Sequence, residues 1–386
     1  MKTYRVGVIG YGFMGKTHTH SYKTIPLYYS NLPFTIKLEG ICDTVPGVAA
    51  DACEMQGYAY STEDPDVILH DPNIDIVSIC TPNAFHKDLV LKALKAGKHV
   101  YCDKPLTANA AESQEILDIL EEYPDQTTQV ALQMRFYPAV MRAKELMDEG
   151  RIGRVFLFQC DYLHSSGIDP NKALSWKQNK KAGGGGVLLD LGAHAYDVMY
   201  YLLGDYARVY TQTDIVYDCR PDGKGSVVKV EAEDTAITLA KMKSGATGKI
   251  LVSKVATGTM DELRIEIHGD KGAIRFNTMD PGYLEFYDAT KPDHPLGGEA
   301  GFTRIDCHQK YPKPGGAFPN PRFAIGFLRA HAASMYNFLE NVHLGRKSSP
   351  SFAESAYIQH IMESCYRSAE QNAWVDIADR KGVCRD

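Results

Sequence analysis

The sequence contains no stretch approaching the roughly 18 to 20 apolar residues that a membrane-spanning helix requires. It also opens on an alternating, strand-like segment and not on a charged and apolar leader. Both absences point to a cytoplasmic protein. Long blocks of like charge are missing as well: 42 Lys and Arg stand against 48 Asp and Glu, a net charge of −6 (42 − 48). Such a balance gives no electrostatic reason to bind a phosphate backbone or an anionic lipid surface, so nucleic acid and membrane are disfavoured as partners. The nine cysteines are odd in number and form no CxxC pair, which argues against a disulfide framework and a zinc knuckle. Neither an internal repeat nor a low-complexity tract interrupts the chain.

What is present is an ordinary globular composition, 44% hydrophobic and 23% charged over 386 residues, enough for two domains, or three, at about 150 residues each. Tyr4 to Ile9 reads as a buried strand, followed at once by Gly10-Tyr11-Gly12-Phe13-Met14-Gly15 and a segment that can be helical to about Lys23. Further strands are expected at Lys37 to Asp43, Ile74 to Cys80, His99 to Cys102 and Gln129 to Gln133, with helices at His86 to Ala96, closed by Gly97, and near Ala110 to Glu122. Strand and helix in alternation call for a parallel sheet with right-handed crossovers, so residues 1–125 form one doubly wound α/β domain. From about Arg154 the strands lengthen and alternate, to His268, and one face of the resulting antiparallel sheet is covered by a helix near Gly192 to Leu203. Residues 126–386 are thus an α+β domain. Within it, residues 279–322, rich in Gly, Pro, Asp and His, read as a long irregular loop, and two amphipathic helices follow, Phe323 to Leu344 and Phe352 to Gln371.

In a dinucleotide site the first glycine makes the tight turn, the second admits the pyrophosphate and the third lets helix pack on strand; Gly10, Gly12 and Gly15 fit these roles. Asp43, at the end of the second strand, can accept hydrogen bonds from an adenosine ribose, and Thr44 follows where an Arg would hold a 2′-phosphate. NAD is therefore favoured over NADP. From Gly15 to Asp43 is 28 residues (43 − 15), more than the usual spacing of about 20, and the connection around Tyr28 to Pro33 supplies the excess. A methyltransferase also begins with a strand and a glycine turn, but it leaves the third glycine unexplained. His18 and His20 lie on different faces of the helix with no cysteine or carboxylate cluster beside them, and no metal site is expected.

Three separated segments, the glycine turn, Cys80-Thr81-Pro82-Asn83 with His86, and Gly97 to Pro105 through Asp103-Lys104-Pro105, resemble the glucose-fructose oxidoreductase / inositol dehydrogenase / rhizopine-catabolism (Gfo/Idh/MocA) family. The likeness extends through Trp176-Lys177 and Gly183 to Asp197 and covers essentially the whole chain; Asp103 stands where the family usually carries Glu. It implies a Rossmann domain followed by an α+β domain with a large, mostly antiparallel open sheet, whose open face mediates a homodimer or homotetramer. It implies Lys104, Asp190 and His194 as the catalytic group. The cofactor-binding set is Gly10, Gly12, Phe13, Met14, Gly15, Asp43, Thr81, Pro82, Asn83, His86, Asp103 and Lys104, and the substrate contacts add Arg135, Tyr137 and Trp176 to the catalytic group.

The residues support that chemistry on their own terms. Oxidising a secondary alcohol needs a base that titrates near neutral pH, and His194 is the natural one. Asp190, His194 and Asp197 fall at i, i+4 and i+7, so they share one face if Asp190 opens the helix. Each has a structural alternative: a packed histidine, a solvated lysine before proline, a helix-capping aspartate. The expected reaction is NAD-dependent oxidation of a ring hydroxyl of a sugar, glycoside or cyclitol. Two other readings stand beside it: a glycoside hydrolase that retains NAD with no net redox change, and a non-catalytic NAD sensor.

Overall fold

The computed structural model describes residues 1–308 and 326–378. The end of the expected 279–322 loop, the expected helix start at Phe323 and Cys384 lie outside the described residues. The chain divides into one unit of residues 1–133 and 327–357 and another of residues 134–308, 326 and 358–378.

In the first unit six strands, β1 (Lys2–Ile9), β2 (Phe34–Cys42), β3 (Tyr60–Thr62), β4 (Ile76–Ile79), β5 (His99–Cys102) and β6 (Thr128–Val130), form a sheet in the order β3-β2-β1-β4-β5-β6. Every neighbouring pair is parallel. Helices α1 (Phe13–Tyr28), α2 (Val48–Gln56), α3 (Pro65–His70), α4 (His86–Lys95) and α5 (Ala110–Leu120) make the crossovers. Because the strand order reverses between β1 and β4, the carboxyl ends of these two strands open the crevice in which such sheets take ligands. The helix Phe327–Leu344 belongs to the same unit: Phe338 and Leu339 enter the core with Val6, Val8 and Ile41, and Tyr336 stacks on Tyr29 with ring centroids 4.2 Å apart.

One expectation is corrected here. The extra residues before Asp43 come less from a loop than from α1, which continues to Tyr28 with Pro26 inside it. A proline in the last turn forfeits one backbone bond, whereas stopping at Lys23 would expose Ile25 and Tyr29, both buried.

The second unit holds α6 (Pro138–Asp148), β7 (Val155–Leu163), α7 (Lys180–Gly183), α8 (Ala193–Leu203), β8 (Tyr206–Asp214), β9 (Cys219–Pro221), β10 (Val227–Lys229), β11 (Thr235–Met242), β12 (Thr247–Ser253), β13 (Glu262–Gly269), β14 (Gly272–Asn277), β15 (Tyr283–Asp288), β16 (Phe302–Asp306) and β17 (Val375–Asp376). Nine of these strands form one sheet, β16-β15-β14-β13-β7-β12-β11-β8-β17, in which β7 and β12 are the parallel pair among the described strands. Alternation decides the two faces: in β11, Ala236, Thr238, Ala240 and Met242 are buried while Ile237, Leu239 and Lys241 are exposed. Helix α8 packs against β7 and β12.

The region 279–322 is not one irregular loop. Its described part contains β15 and β16, which pair with β14 and with each other and extend the sheet. Tyr283-Leu284-Glu285-Phe286 carries a period-two pattern with Leu284 and Phe286 buried, a signal obscured by the glycine and proline that flank it. Among the described residues no helix is long and apolar enough to cross a membrane.

Under α8 lies a buried ion pair: Arg135 Nε donates to Asp197 Oδ2 at 2.9 Å and Nη2 donates to Oδ1, with Asp197 fully enclosed. Removing one partner leaves the other charge buried alone, at a cost of about 3 to 5 kcal/mol, whereas replacing both by apolar groups is close to neutral. Urea unfolding should therefore show a large loss in Arg135→Met and a substantial recovery in Arg135→Met/Asp197→Leu.

Candidate active site

At the crevice of the first unit, Gly10 turns with φ +91°, and a side chain on Gly15 would come within 2.1 Å of the Gly10 carbonyl oxygen, so helix and strand meet too closely for any other residue. A Cβ on Gly12 would meet nothing within 4 Å and points into open space. Gly12 is also the N-cap of α1, with no side chain capping it and no acidic residue in the first turn. The amide hydrogens at Phe13 and Met14 therefore remain available to an anion. The cradle fits a dinucleotide pyrophosphate. Asp43, just past β2, accepts from Tyr11 N at 2.7 Å through Oδ2 and from Val45 N at 2.9 Å through Oδ1. It thus ties the glycine turn to the strand end, and a carboxylate with about four acceptor positions still has room for ribose hydroxyls.

Beside this turn two loops meet on one histidine. His86 is fully buried, with Nδ1 3.0 Å from the Pro105 carbonyl and Nε2 2.8 Å from the Thr81 carbonyl. Through it the Thr81-Pro82-Asn83 loop after β4 is joined to the Asp103-Lys104-Pro105 loop after β5. Asn83 and Asp103 are buried, Lys104 is partly exposed, and Asp103 Oδ1 accepts from Lys104 N at 2.9 Å. Behind them His18, on the inner side of α1, lies 2.8 Å from Ser78 Oγ and 3.1 Å from Cys80 Sγ through Nδ1. Burial lowers its pKa to about 4, and attraction to Asp103 offsets this only in part.

In the second unit Asp190 does not open α8. It lies in a π-helical turn, Leu188–Gly192, just ahead of it. Lys177 Nζ is 2.9 Å from Asp190 Oδ1, and Lys254 Nζ is 3.0 Å from Oδ2. His194, in the first turn of α8, is buried and meets the Tyr162 ring edge-on at 5.9 Å. Asp197, three residues after His194 in α8, is paired with the buried guanidinium of Arg135. Tyr137 is buried at the start of α6, and burial reinforced by nearby Asp261 raises its pKa. Trp176 is 40% exposed in a 3-10 turn, with Lys177 Nζ 5.8 Å from its ring centre.

Several residues here escaped sequence reasoning. Glu233 is a buried carboxylate that accepts from Gly186 N, from Leu188 N at 3.0 Å and from the Tyr366 hydroxyl at 2.7 Å, and so fastens the glycine loop that carries Asp190. In the sequence it sits in Glu231-Ala232-Glu233-Asp234, which looks like a solvated acidic turn. Asp261 accepts from the Tyr162 hydroxyl at 2.6 Å and lies 2.8 Å from His164 Nε2. Lys254, after a strand, carries no sequence signal that separates it from surface lysines. Among the described residues no group of three or more His, Cys, Asp or Glu could hold a metal ion.

Comparison with known proteins agrees with this architecture. Residues 4–131 match the model of an oxidoreductase family with an NAD-binding Rossmann fold, and residues 144–377 match that of an oxidoreductase family C-terminal alpha/beta domain. A levoglucosan dehydrogenase of Pseudarthrobacter phenanthrenivorans is 31% identical, the alignment covering 98% of this chain and 99% of that protein. The scyllo-inositol 2-dehydrogenase (NAD(+)) of Bacillus subtilis is 30% identical over 71% of this chain and 74% of its own. A solved levoglucosan dehydrogenase in complex with NADH and levoglucosan superposes with a TM-score of 0.91 at 31% identity, covering 98% of this chain and all of that one.

Two outcomes follow from this geometry. Asp43→Asn keeps an acceptor for one backbone amide but loses the charge, and hydrogen bonds to a charged group contribute about 1.5 to 3 kcal/mol. NADH titration followed by fluorescence should show Kd rising at least about tenfold, with NADPH affinity changed much less. The His18 pKa falls from 6.5 in the unfolded chain to about 4 in the folded one. The unfolded chain thus binds the extra proton, and this contribution to stability is complete above pH 6.5 and lost as pH falls toward 4. Over that interval the wild type should lose about 3 kcal/mol more unfolding free energy than His18→Gln, measured by urea denaturation at each pH.

Proposed function

This chain belongs to the Gfo/Idh/MocA oxidoreductase family, and from that premise we propose that it oxidises a secondary ring hydroxyl of a sugar, glycoside or cyclitol to the ketone. Membership carries the reaction type, oxidoreduction, and the cofactor, NAD. The ring alcohol is supported by likeness along nearly the whole chain to a levoglucosan dehydrogenase and by likeness to an inositol dehydrogenase, whose named substrates are both cyclic polyols. The observation that carries the reading is the pairing in one chain of an open glycine cradle with a buried imidazole, His194, four residues from a carboxylate held by two lysines.

Residues 1–125 hold the cofactor in this reading: Gly10, Gly12, Phe13, Met14 and Gly15 at the pyrophosphate, Asp43 at the ribose, and Thr81, Pro82, Asn83, His86 and Asp103 around the loops beside it. NAD, when bound, supplies the hydride acceptor. Lys104 places a positive charge beside the reacting hydroxyl and stabilises the developing alkoxide. His194 takes the hydroxyl proton, and Asp190 accepts a hydrogen bond from a neighbouring hydroxyl of the same ring. Within residues 126–386 Trp176 offers an exposed aromatic face to the apolar side of a sugar. Tyr137, at the start of α6, is a further substrate contact in this reading, and Arg135 acts through Asp197 by holding α8 in place. The open sheet face, with Leu157, Ile237 and Leu239 exposed on it, is the surface for a homodimer or homotetramer. The cytoplasm is the site of action, in keeping with free thiols on the eight described cysteines.

The test is NADH formation by the purified protein against a panel of inositols, free sugars and glycosides, with NADP⁺ in parallel. One substrate group should give NADH. His194→Ala should lower kcat/KM at least about a hundredfold, the scale of a lost general base. Cleavage of glycosides without any NADH, by protein that retains NAD, would instead establish a redox-neutral hydrolase.

A further inference from the structure

Asp190 is gripped by two ammonium groups of unlike character. Lys177 comes from an exposed 3-10 turn, and its side chain is 44% exposed; that of Lys254 is 10% exposed. Lys254 directly follows β12, and both of its peptide groups are engaged, N–H donating to the Asp234 carbonyl at 2.9 Å and the carbonyl accepting from Gly167 N at 2.7 Å. The base of the side chain is thereby fixed, while Lys177 reaches Asp190 from a solvent-exposed turn. Stability does not account for an ammonium in this place. Drawing it out of water costs about as much as the carboxylate repays, and a methionine would fill the same space without that cost. What a methionine lacks is a full positive charge fixed on one oxygen of Asp190.

We propose that Lys254 is a positioning residue, which holds Asp190 ionised and in one orientation so that His194 works as a neutral proton acceptor; the inference rests on the roles given above to Asp190 and His194. The groups facing this pair set its electrostatics. Among the described residues, Lys177 and Lys254 reach it from the 3-10 turn and the end of β12, and Tyr162 from β7, with Tyr137 acting on Tyr162 from the start of α6. Tyr162 is in turn bonded to Asp261, which His164 also contacts, and the Arg135–Asp197 pair lies farther along α8. A bare carboxylate four residues before His194, in the turn that leads into α8, would favour the imidazolium, which cannot accept a proton. The ammonium on Oδ2 offsets that field, and because it is buried, solvent screens it little.

The experiment compares Lys254→Met and Lys254→Arg with wild type in the NAD-loaded protein. Two readouts are used: the pH profile of kcat/KM with the substrate found above, and an NMR titration of the His194 imidazole, identified by its loss in His194→Gln. In Lys254→Met the acid limb of the profile should move up by about one pH unit, which lowers kcat/KM about tenfold on the acid side of the limb and less at neutral pH. The imidazole titration should move with it, and Lys254→Arg should bring both back toward wild type. An unmoved limb with an unmoved imidazole overturns the proposal. So does a loss that is equal at every pH and not rescued by arginine, which is the mark of a merely structural lysine. If Asp190→Asn and His194→Gln retain wild-type rates, the reading on which the proposal rests fails first, whatever Lys254 does.

Discussion

A charge can be taken out of water only in company, and the second unit is organised around three places where this happens. Arg135 and Asp197 neutralise each other beneath α8. Glu233 is satisfied by the amides of Gly186 and Leu188 and by the Tyr366 hydroxyl. Lys254 meets Asp190 at the π-helical turn. In each case one partner comes from a helix or the glycine loop and another from the sheet, the segment leading into it, or a neighbouring helix, so satisfying the charges also sets where the loop and α8 lie. The π-helical turn carries the third of these constraints, with the second at its start and the first farther along the chain in α8. Asp190 leaves the line of α8 there and turns toward two lysines, while Asp197, seven residues on, is held in the interior.

The first unit solves a different problem by leaving groups out. A pyrophosphate needs amide hydrogens with nothing in front of them, and the turn from Gly10 to Gly15 supplies them by having no Cβ at three positions, one of which, Gly12, is the helix N-cap and so places no capping side chain there. Asp43 and His86 then do from outside what side chains within the turn cannot. Asp43 fastens the Tyr11 amide to the end of β2, and His86 joins the loops after β4 and β5.

Much of this fold is legible in the sequence because its signals are local. Strand, glycine turn and helix over residues 2–28 follow from an apolar run and three glycines, and the long strands from β7 to β13 follow from period-two alternation. The parts that were not legible depend on distant residues. Strands β15 and β16 are short and set among glycines and prolines, and they become strands by pairing, β15 with β14 and β16 with β15. Helix α1 passes through Pro26 because Tyr29 finds a stacking partner in Tyr336, more than 300 residues away. Among the candidate site residues, Gly10 to Gly15, Asp43, Lys104, Asp190 and His194 stand in recognisable motifs. Lys254 and Glu233 do not, since a lysine after a strand and a glutamate in an acidic run look the same whether they are buried or solvated.

The contrast between the two lysines on Asp190 bears on how a substrate hydroxyl could enter. A carboxylate that is to accept a bond from a sugar must have an oxygen whose present partner can leave at small cost. Lys177 meets that condition: an exposed ammonium regains most of its hydration on release, and exposed ion pairs contribute about 0 to 1 kcal/mol. Lys254 does not, because leaving Oδ2 would strand a charge in the interior. In the reading proposed above, the two oxygens of Asp190 thus take different tasks, Oδ2 to hold the geometry and Oδ1 to exchange partners. A single lysine, buried or exposed, could not do both.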